Sequence, residues 1–392
     1  MSSTRPRVAV IGLGSVGSMA AWRLAARGAD VVGYEQFGTG HDRGAHGGES
    51  RVFRTTYFED PEYVPLLRHA GALWRRLEAE TRTELLALTG LLMLGGASST
   101  QMANVSASID RFGVDATVVP LDEARSRWPH HPFRDDDFVV LDREAGYLRP
   151  ELAVLHAARR AEALGARLRT YTPVDAIDVR ETGVWVDSGG DSERYDHVVV
   201  TTGPWAGNLL PGLAALIDVR RPVSAWFLAR DRAPFDPATF PCFLRTTPTE
   251  WYGLPALDGS GLKLGLSGEV NTPVADPDAL DRTIPVEEVQ AFRALVAEYF
   301  PDLYPDPVRV TGYMEGYTPD GHGIVGQLPG EDRVTVVTGL SGHGFKLAPA
   351  LGDIAADHAL TGATDSSIAL LDPNRFLDPS GFLGARTAAV GS

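Results

Sequence analysis

The sequence predicts an α/β protein in which a discontinuous domain, built on a parallel sheet, is interrupted by a mostly antiparallel sheet. Strand–glycine loop–helix patterns near the start of the chain and at residues 333–362 support the first part, and residues 197–203 add another apolar strand. Residues 216–275 support the second part, because they alternate in polarity and are rich in aromatic residues, Pro and Gly. Elements of one kind at both ends and in the middle argue against a simple succession of two domains.

The same patterns place the boundaries of the two parts. The discontinuous domain is predicted at residues 1–85, 146–215 and 306–392. The inserted domain is predicted at residues 86–145 and 216–305, and no internal repeat or low-complexity tract interrupts either part.

Residues 7–35 are the most legible part of the chain. Residues 8–11 form a short apolar run, the pattern of a strand buried on both faces. Gly12, Gly14 and Gly17 follow in the spacing G-x-G-x-x-G, and a helical pattern and a second strand come next. The spacing alone is weak evidence, but its place between a strand and a helix is typical of a Rossmann-like dinucleotide-binding unit.

Each position in this unit has a physical task. Gly12 permits a tight turn, Gly14 lets the backbone approach a pyrophosphate, and Gly17 lets helix and strand pack closely. The helix N-terminus offers free N–H groups and a partial positive charge to phosphates. The second strand ends at Glu35, whose carboxylate can accept hydrogen bonds from a ribose. The cofactor contacts predicted here are Gly12, Gly14, Ser15, Val16, Gly17 and Glu35.

The remaining elements give shorter patterns. Residues 61–81 and 286–303 have helical periodicity, residues 89–96 indicate a strand, and residues 165–203 indicate a run of short strands. Few periodic signals follow Leu371, so we expect the tail to wrap the surface or to be loose.

Composition and charge exclude several classes of function. The 392 residues are 44% hydrophobic and 22% charged, which is ordinary for a globular protein of roughly two to three domains. The net charge of −15, with arginines interspersed among acids, argues against a nucleic-acid or anionic membrane partner. No stretch approaches the ~18 uninterrupted apolar residues of a membrane span.

Cysteine and histidine usage add two expectations. The lone Cys242 allows no intramolecular disulfide and fits a reducing compartment, and the early glycine loop leaves little room for a signal peptide, so a cytoplasmic location is expected. His130 with His131, and His41 with His46, lack a third ligand at metal-binding spacing. No metal site is predicted, and these histidines are expected at the surface.

Lysine is rare in this chain. Of 36 basic residues, Lys263 and Lys346 are the two lysines, and the remaining 34 are arginines. A coding bias toward arginine would leave a few lysines anywhere, so counting alone does not separate drift from function.

A set of short motifs occurs in a recognisable order over nearly the whole chain. They are VIGLGSVGS, GAHGGESRVFR, EYVPL, TGLLMLG, RWP, TTGPWAGNLL, WYGLP with GLKLG, YTPDGHGIVG and GLSGHGFK. This ordered set resembles the FAD-dependent amine and amino-acid oxidases, most closely the monomeric sarcosine oxidase and N-methyltryptophan oxidase group. The resemblance implies that the discontinuous domain binds FAD and that the inserted domain binds the substrate.

The resemblance also implies an activity. An enzyme of this group oxidises the C–N bond of an amino acid or N-substituted amino acid to an imine, which water hydrolyses, while O₂ is reduced to H₂O₂. The expected partners are therefore an amino-acid-like small molecule and O₂, with neither nucleic acid nor membrane. A monomer or small homo-oligomer is expected.

Cofactor contacts follow from the resemblance position by position. Ser50 and Arg51 match residues that lie against the flavin, and Val174 matches the residue whose backbone meets the adenine. A second nucleotide-contacting loop matches Gly203 and Trp205. The loop around the pyrimidine edge of the flavin matches Gly342, His343, Gly344, Phe345 and Lys346.

Both lysines match functional positions of the family. Lys346, with Arg54, matches the pair that holds the substrate carboxylate, and Lys263 matches the lysine over the opposite face of the flavin, where it helps O₂ accept electrons. A compact ammonium stabilises a small anion such as superoxide, whereas a guanidinium grips a carboxylate with two parallel hydrogen bonds. The coincidence favours function over drift.

Two groups of positions depart from the family. The cysteine that carries the flavin in close relatives is replaced by Tyr313, and Cys242 lies in the inserted domain, so FAD is predicted to be bound non-covalently. On the substrate side Ser267 replaces a histidine and Glu315 replaces a tyrosine, while Tyr252 is retained. Glu315 either pairs with the cations of the pocket or meets a second nitrogen of the substrate. The predicted substrate contacts are Arg54, Lys346, Tyr252, Glu315 and Ser267.

Three other functions remain open from the sequence. The chain could be a dehydrogenase that passes electrons to a quinone or protein carrier, although Lys263 favours direct use of oxygen. A flavin hydroxylase would need an approach for NAD(P)H and a different second flavin motif. A non-catalytic nucleotide-binding sensor would have no need of an oxygen-activating charge.

Overall fold

The computed structural model describes residues 5–266 and 271–376. In chain order its strands are β1 (Arg7–Ile11), β2 (Asp30–Tyr34), β3 (Arg51–Phe53), β4 (Leu86–Ala87), β5 (Leu91–Gly95), β6 (Ala116–Val119), β7 (Phe138–Asp142), β8 (Gly146–Leu148), β9 (Arg167–Arg169), β10 (Ala176–Arg180), β11 (Gly183–Ser188), β12 (Asp191–Tyr195), β13 (His197–Val200), β14 (Asp218–Arg221), β15 (Val223–Phe227), β16 (Cys242–Arg245), β17 (Trp251–Leu254), β18 (Leu262–Leu266), β19 (Thr272–Pro273), β20 (Arg309–Gly312), β21 (Glu315–Tyr317), β22 (Ile324–Leu328) and β23 (Glu331–Thr338).

The α-helices of the same ranges are α1 (Ser15–Ala26), α2 (Val64–Thr81), α3 (Thr100–Phe112), α4 (Leu121–Arg127), α5 (Pro150–Ala163), α6 (Ala206–Leu209), α7 (Val286–Tyr299) and α8 (Ala348–Thr361). Several begin where the sequence supplies a start signal. Pro150 stands at the first position of α5 and Pro349 in the first turn of α8, where a missing N–H costs no helical hydrogen bond.

A mostly parallel sheet forms the first layer. Its described strands lie in the order β22, β23, β13, β1, β2 and β9, and only β22 runs antiparallel to its neighbour. Ile11 at the end of β1 lies opposite Tyr34 and Val200. The carboxyl ends of the central strands therefore meet at one edge, the edge at which α/β sheets bind ligands.

The apolar side chains of β1 pack into two hydrophobic clusters, one on each face of the sheet. Val8 and Val10 pack into a cluster with α1, α2, α5 and α8, whereas Ala9 and Ile11 pack into a cluster with β11 and β12. Successive side chains of a strand point to opposite faces. Both faces of β1 are covered, which is why its sequence is continuously apolar.

A mostly antiparallel sheet forms the second part of the molecule. Its described strands lie in the order β20, β15, β18, β17, β16, β5, β7 and β6, and the pair β16–β5 is the parallel exception among them. Phe292 and Val296 of α7 cover one face of this sheet. Smaller sheets join β3, β8 and β4, and join β19, β14 and β21.

The predicted α/β architecture, with sequence-distant segments in one parallel sheet and an antiparallel sheet between them, is confirmed. The helix expected at residues 61–81 is α2, preceded by a short 3₁₀ turn, and the strand expected at residues 89–96 is β5. β20 follows residue 306 yet pairs with β15, and the domain boundaries stay a prediction. Within the described ranges, no helix combines the length and apolar character needed to cross a bilayer.

Candidate functional site

A cavity of about 680 Å³ runs from the carboxyl edge of the parallel sheet to the antiparallel sheet. One end is formed by the glycine loop after β1 and by Glu35 after β2, and the other by Tyr252 of β17 and Glu315 of β21. The sites predicted for a dinucleotide and for a substrate therefore open into one continuous space.

Glycine is required in the loop after β1. Gly12 has φ of +87°, and a Cβ there would lie 2.8 Å from the carbonyl oxygen of Thr201. A Cβ on Gly17 would lie 1.8 Å from the carbonyl oxygen of Gly12, so any side chain would push α1 away from the loop. Thr201 Oγ1 donates to the same Gly12 oxygen at 2.7 Å, which holds the loop in place.

The N-terminus of α1 faces the cavity. Its N-cap is Gly14, its first turn carries no acidic residue, and Ser15 and Val16 line the cavity wall. The first N–H groups of a helix have no intrahelical partner and carry a partial positive charge. This end of the cavity therefore suits a pyrophosphate.

Glu35 lies directly beyond the C-terminal end of β2. Its carboxylate accepts hydrogen bonds from the backbone N–H groups of Leu13 and Phe37, each at 2.9 Å, and lies 3.4 Å from His41 Nε2. Burial raises the pKa of Glu35, but His41 and the two N–H groups outweigh it and hold the pKa below its ordinary value. An ionised carboxylate here can accept further hydrogen bonds from ribose hydroxyls.

Other predicted nucleotide contacts also lie on the wall. Val174, Gly203 and Trp205 line the cavity, and Gly203 adopts φ of +54°. The indole N–H of Trp205 donates to Asp278 at 2.7 Å. The loop predicted around the flavin edge lies on the wall too, with Gly342, His343, Gly344, Phe345 and Lys346.

Four buried polar atoms on the wall have no hydrogen-bond partner within the described part of the chain. They are His46 Nε2, Arg54 Nε, Thr202 Oγ1 and Tyr313 Oη. A buried polar group without a partner is costly, so these atoms point to a ligand with several hydrogen-bonding groups. Together with the glycine cradle and Glu35, they fit FAD.

Arg54 and Lys346 are both buried at the substrate end. Arg54 Nη2 donates to the two carboxylate oxygens of Glu59 at 2.5 and 2.6 Å, and Lys346 Nζ donates to the carbonyl oxygen of His343 at 2.9 Å. The ring of Tyr57 lies 4.1 Å from the Arg54 guanidinium carbon and 5.3 Å from Lys346 Nζ. The two cations therefore share one aromatic support.

The charges of this cluster depend on one another. Burial, followed by the charge of Arg54, lowers the pKa of Lys346 to about 7, while Glu59 opposes that shift. Burial raises the pKa of Glu59, but Arg54, His343 and Lys346 bring it down to about 2. Glu59 is therefore ionised at neutral pH and pairs with Arg54.

Sequence reasoning did not find Glu59 or Tyr57. Neither residue belongs to a motif with a fixed spacing. The path of the loop after β3 brings both of them beside Arg54. The backbone N–H groups of Thr55 and Thr56 donate to the buried Asp142 at 2.9 and 2.8 Å, which sets the path of that loop.

His343 is a neutral packing residue. Its Nε2 lies 2.9 Å from the carbonyl oxygen of Gly321 and its Nδ1 lies 2.8 Å from Tyr57 Oη. Nε2 must carry the proton, so Nδ1 accepts from the phenol. Burial lowers the pKa of His343 to about 4, so the ring packs in the loop as a neutral imidazole.

Lys263 and Ser50 do not reach the cavity wall. Lys263 is 1% exposed, and its Nζ donates to the carbonyl oxygens of Gly48 and Ser50 at 2.8 Å. Burial, followed by the charge of Arg51, holds the pKa of Lys263 well below its usual range. Arg51, which follows Ser50 in the sequence, does line the cavity.

Tyr313 and Cys242 are both buried. Tyr313 lies on the cavity wall with the Arg51 guanidinium carbon 5.1 Å from its ring centre. Cys242 lies within β16, and burial raises the pKa of its thiol to about 12. Ser267 lies outside the described residues.

The prediction that His46 and His131 lie at the surface is wrong. His46 is buried beside the glycine loop, and His131 is buried with its ring 3.9 Å from that of Phe240. A pair of histidines in the sequence does not indicate whether either side chain is buried, because burial here depends on contacts with distant elements. The residues described contain no group of three or more potential metal ligands.

Comparison with known proteins agrees with this geometry. A model of the FAD dependent oxidoreductase family matches residues 7–358. A monomeric sarcosine oxidase of Streptomyces avermitilis is 36% identical over 94% of this chain and 97% of its own. An N-methyl-L-tryptophan oxidase of Yersinia pestis is 34% identical over 88% and 93%, respectively.

Solved structures show the same fold. NikD, described as an unusual amino acid oxidase essential for nikkomycin biosynthesis, superposes in its open form with a TM-score of 0.82 at 24% identity, covering 94% of this chain and 98% of its own. A glycine oxidase from Geobacillus kaustophilus superposes with a TM-score of 0.79 at 20% identity, covering 95% and 100%. The family match over most of the chain and the sequence relatives place this protein among the FAD-dependent oxidoreductases.

Proposed function

We propose that this FAD-dependent enzyme oxidises the C–N bond of an amino acid or N-substituted amino acid, with O₂ as the electron acceptor. The imine product is hydrolysed by water to a carbonyl compound and an amine, and H₂O₂ is released. The observation that carries the proposal is the buried pair Arg54 and Lys346 at one end of a cavity whose other end is the glycine loop.

FAD, when bound, accepts a hydride from the substrate and delivers two electrons to O₂. The residues that would hold it are those on the cavity wall. The glycine loop and the N-terminus of α1 would receive the pyrophosphate and Glu35 the ribose, while Val174, Gly203 and Trp205 would hold the adenine side. Residues 342–346 and Arg51 would surround the flavin.

Arg54 and Lys346 would bind the substrate carboxylate. A carboxylate withdrawn from water must be matched by charge, and both cations are already buried. Arg54 presents a planar fork, and its Nε has no hydrogen-bond partner within the described residues. Glu59 would lose part of its hydrogen bonding with Arg54 when the substrate carboxylate binds.

Tyr252 would stand beside the reacting nitrogen. Burial raises the pKa of Tyr252, so its phenol stays protonated, and its Oη lies 3.3 Å from Ser224 Oγ. A protonated phenol can orient an amine without taking its proton. Ser267 and Glu315 would complete the substrate end.

Lys263 would assist the reduction of O₂. Burial penalises its ammonium form, and a negative charge that develops in the cavity favours that form again. Its two carbonyl acceptors, Gly48 and Ser50, keep Nζ in place. Because Nζ is already fixed in position, no side chain has to rearrange when superoxide forms.

The remaining features of the proposal concern the whole protein. We propose that FAD is bound without a covalent link, because Tyr313 stands where a cysteine would carry it. We further propose that the protein is a cytoplasmic monomer or small homo-oligomer. We also propose that it has no nucleic-acid or membrane partner, and the net charge of −15 supports that absence.

The test is a visible spectrum followed by anaerobic titration with amines and amino acids. A yellow protein that is bleached by a substrate and recovers its colour in air, with release of peroxide, supports the oxidase. A flavin that is bleached but recovers only with an added quinone or carrier protein would identify a dehydrogenase. A protein that no amine bleaches would contradict the proposal.

A further inference from the structure

Glu315 enters the substrate end of the cavity from a short strand. Glu315 and Tyr317 are alternate residues of β21, so their side chains leave the same face of the strand, and both line the cavity. Gly316 faces the other way, where an added Cβ would lie 2.8 Å from Ile217. Backbone pairing between β21 and β14 fixes this orientation.

One oxygen of this carboxylate is already held. Tyr317 Oη donates to Glu315 Oε2 at 2.8 Å, and Asn271 Nδ2 donates to Tyr317 Oη at 3.3 Å. Within the described ranges, Glu315 Oε1 accepts no hydrogen bond and the carboxylate forms no ion pair. The structure therefore orients Glu315 at the cavity wall and leaves its second oxygen without a partner among the described residues.

The cations around Glu315 have other partners, and Arg220, which lies opposite Glu315 on β14, pairs with Asp218 at 2.7 Å. Arg54 is paired with Glu59, and Lys346 donates to the carbonyl oxygen of His343. Both would also receive the substrate carboxylate during turnover. A partly buried carboxylate without a cationic partner is costly, and a charge-assisted hydrogen bond from the substrate would remove that cost.

We propose that Glu315 is a specificity-determining residue that receives a protonated nitrogen of the substrate, an ammonium or guanidinium group separate from the reacting nitrogen. The substrate class is then a basic amino acid or an N-substituted derivative of one. This inference rests on the proposed function in one respect: it takes the substrate carboxylate to be held by Arg54 and Lys346.

The test uses two carboxylate probes of equal length that cannot react at the substrate position. (2-Aminoethylthio)acetate and (propylthio)acetate differ at their far end, which is an ammonium in the first and a methyl group in the second. Their dissociation constants are measured by titrating the FAD-loaded enzyme and following the visible flavin spectrum. The native enzyme should bind the ammonium probe more tightly by about 10- to 100-fold, the range of a hydrogen bond between charged groups.

Three variants identify the residue responsible. Glu315→Gln and Glu315→Tyr should bring the ratio of the two dissociation constants close to one, because each removes the carboxylate. Glu287→Gln is the matched control, since it removes one carboxylate from the exposed surface of α7 and should keep the native ratio. Substrate turnover should follow the same order, with lysine-like compounds losing kcat/KM relative to norleucine-like compounds only in the Glu315 variants.

The inference is overturned if the native enzyme binds both probes equally, or if both neutral variants keep the preference for the ammonium probe. Either Glu315 variant decides the matter if the other does not fold. Failure of the proposed function looks different: no amine would reduce the flavin, although the preference between the two non-reacting probes would still depend on Glu315.

Discussion

The pKa of Lys346 predicts how substrate affinity should change with pH. Burial and Arg54 bring this pKa to about 7, so the ammonium that would bind a carboxylate is present below pH 7 and is lost above it. At pH 9 only about 1% of the free enzyme carries this charge. Affinity for a carboxylate ligand should therefore be constant below pH 7 and fall by about tenfold per pH unit above it, until the contribution of Lys346 is exhausted.

The assay is the dissociation constant of a non-reacting carboxylate, such as (propylthio)acetate, measured from pH 6 to 10 by the flavin spectrum. His343 and Glu59 have pKa values of about 4 and 2 and do not titrate in this range. Lys346→Met should bind the probe weakly at all pH values, and its profile should be flat. Lys346→Arg keeps a permanent charge, so its profile should also be flat but its affinity higher than that of Lys346→Met.

Two results would refute this reasoning. A native affinity that does not change between pH 6 and 10 would mean that Lys346 keeps its proton or does not touch the carboxylate. A slope that persists in Lys346→Met would mean that another group titrates, and the low pKa of Lys263 makes Lys263→Met the next variant to measure.

Four further predictions concern the rest of the site. Lys263→Met should slow reoxidation of the reduced enzyme by O₂ by about a hundredfold, or about 3 kcal/mol, and slow reduction by substrate far less; equal effects in stopped-flow experiments would exclude oxygen activation. Arg54→Ala should weaken carboxylate binding by roughly 3–5 kcal/mol and lower Tm, because Glu59 loses its buried partner; unchanged inhibitor affinity would place the carboxylate elsewhere. Acid precipitation should release the yellow colour into the supernatant, and colour in the pellet would show a covalent link. Glu315→Tyr should raise activity on simple N-methyl amino acids and lower it on basic ones, and an unchanged ranking would leave Glu315 as a structural counter-ion only.

The local elements could be predicted where a short segment is sufficient to define them. The apolar run before Gly12, the glycine spacing and Glu35 all lie within one βαβ unit, whose geometry depends on neighbours in sequence. The same holds for α2, whose helical periodicity is visible without its partners. The family resemblance extended the prediction to Arg54, Lys346 and residues 342–346, and the structure brings these together around one cavity.

Burial and pairing could not be predicted in the same way. His46 and His131 were expected at the surface, yet distant elements cover both. Glu59 lies beside Arg54 because Asp142, 87 residues beyond Thr55, holds the intervening loop. Such contacts depend on which elements pack together, and no spacing in the sequence records them.

The sequence by itself determined the class of the protein: a parallel nucleotide-binding sheet, an antiparallel insertion and an ordered set of motifs with two rare lysines. Those features depend on local backbone preference and on side-chain periodicity, which act over a few residues. Only the tertiary structure decided the electrostatic state of the site. Lys346 lies on the cavity wall with its pKa lowered to about 7, whereas Lys263 is buried away from the wall with its pKa well below its usual range. Desolvation and charge pairing set these values, and both arise only when segments hundreds of residues apart enclose the same space.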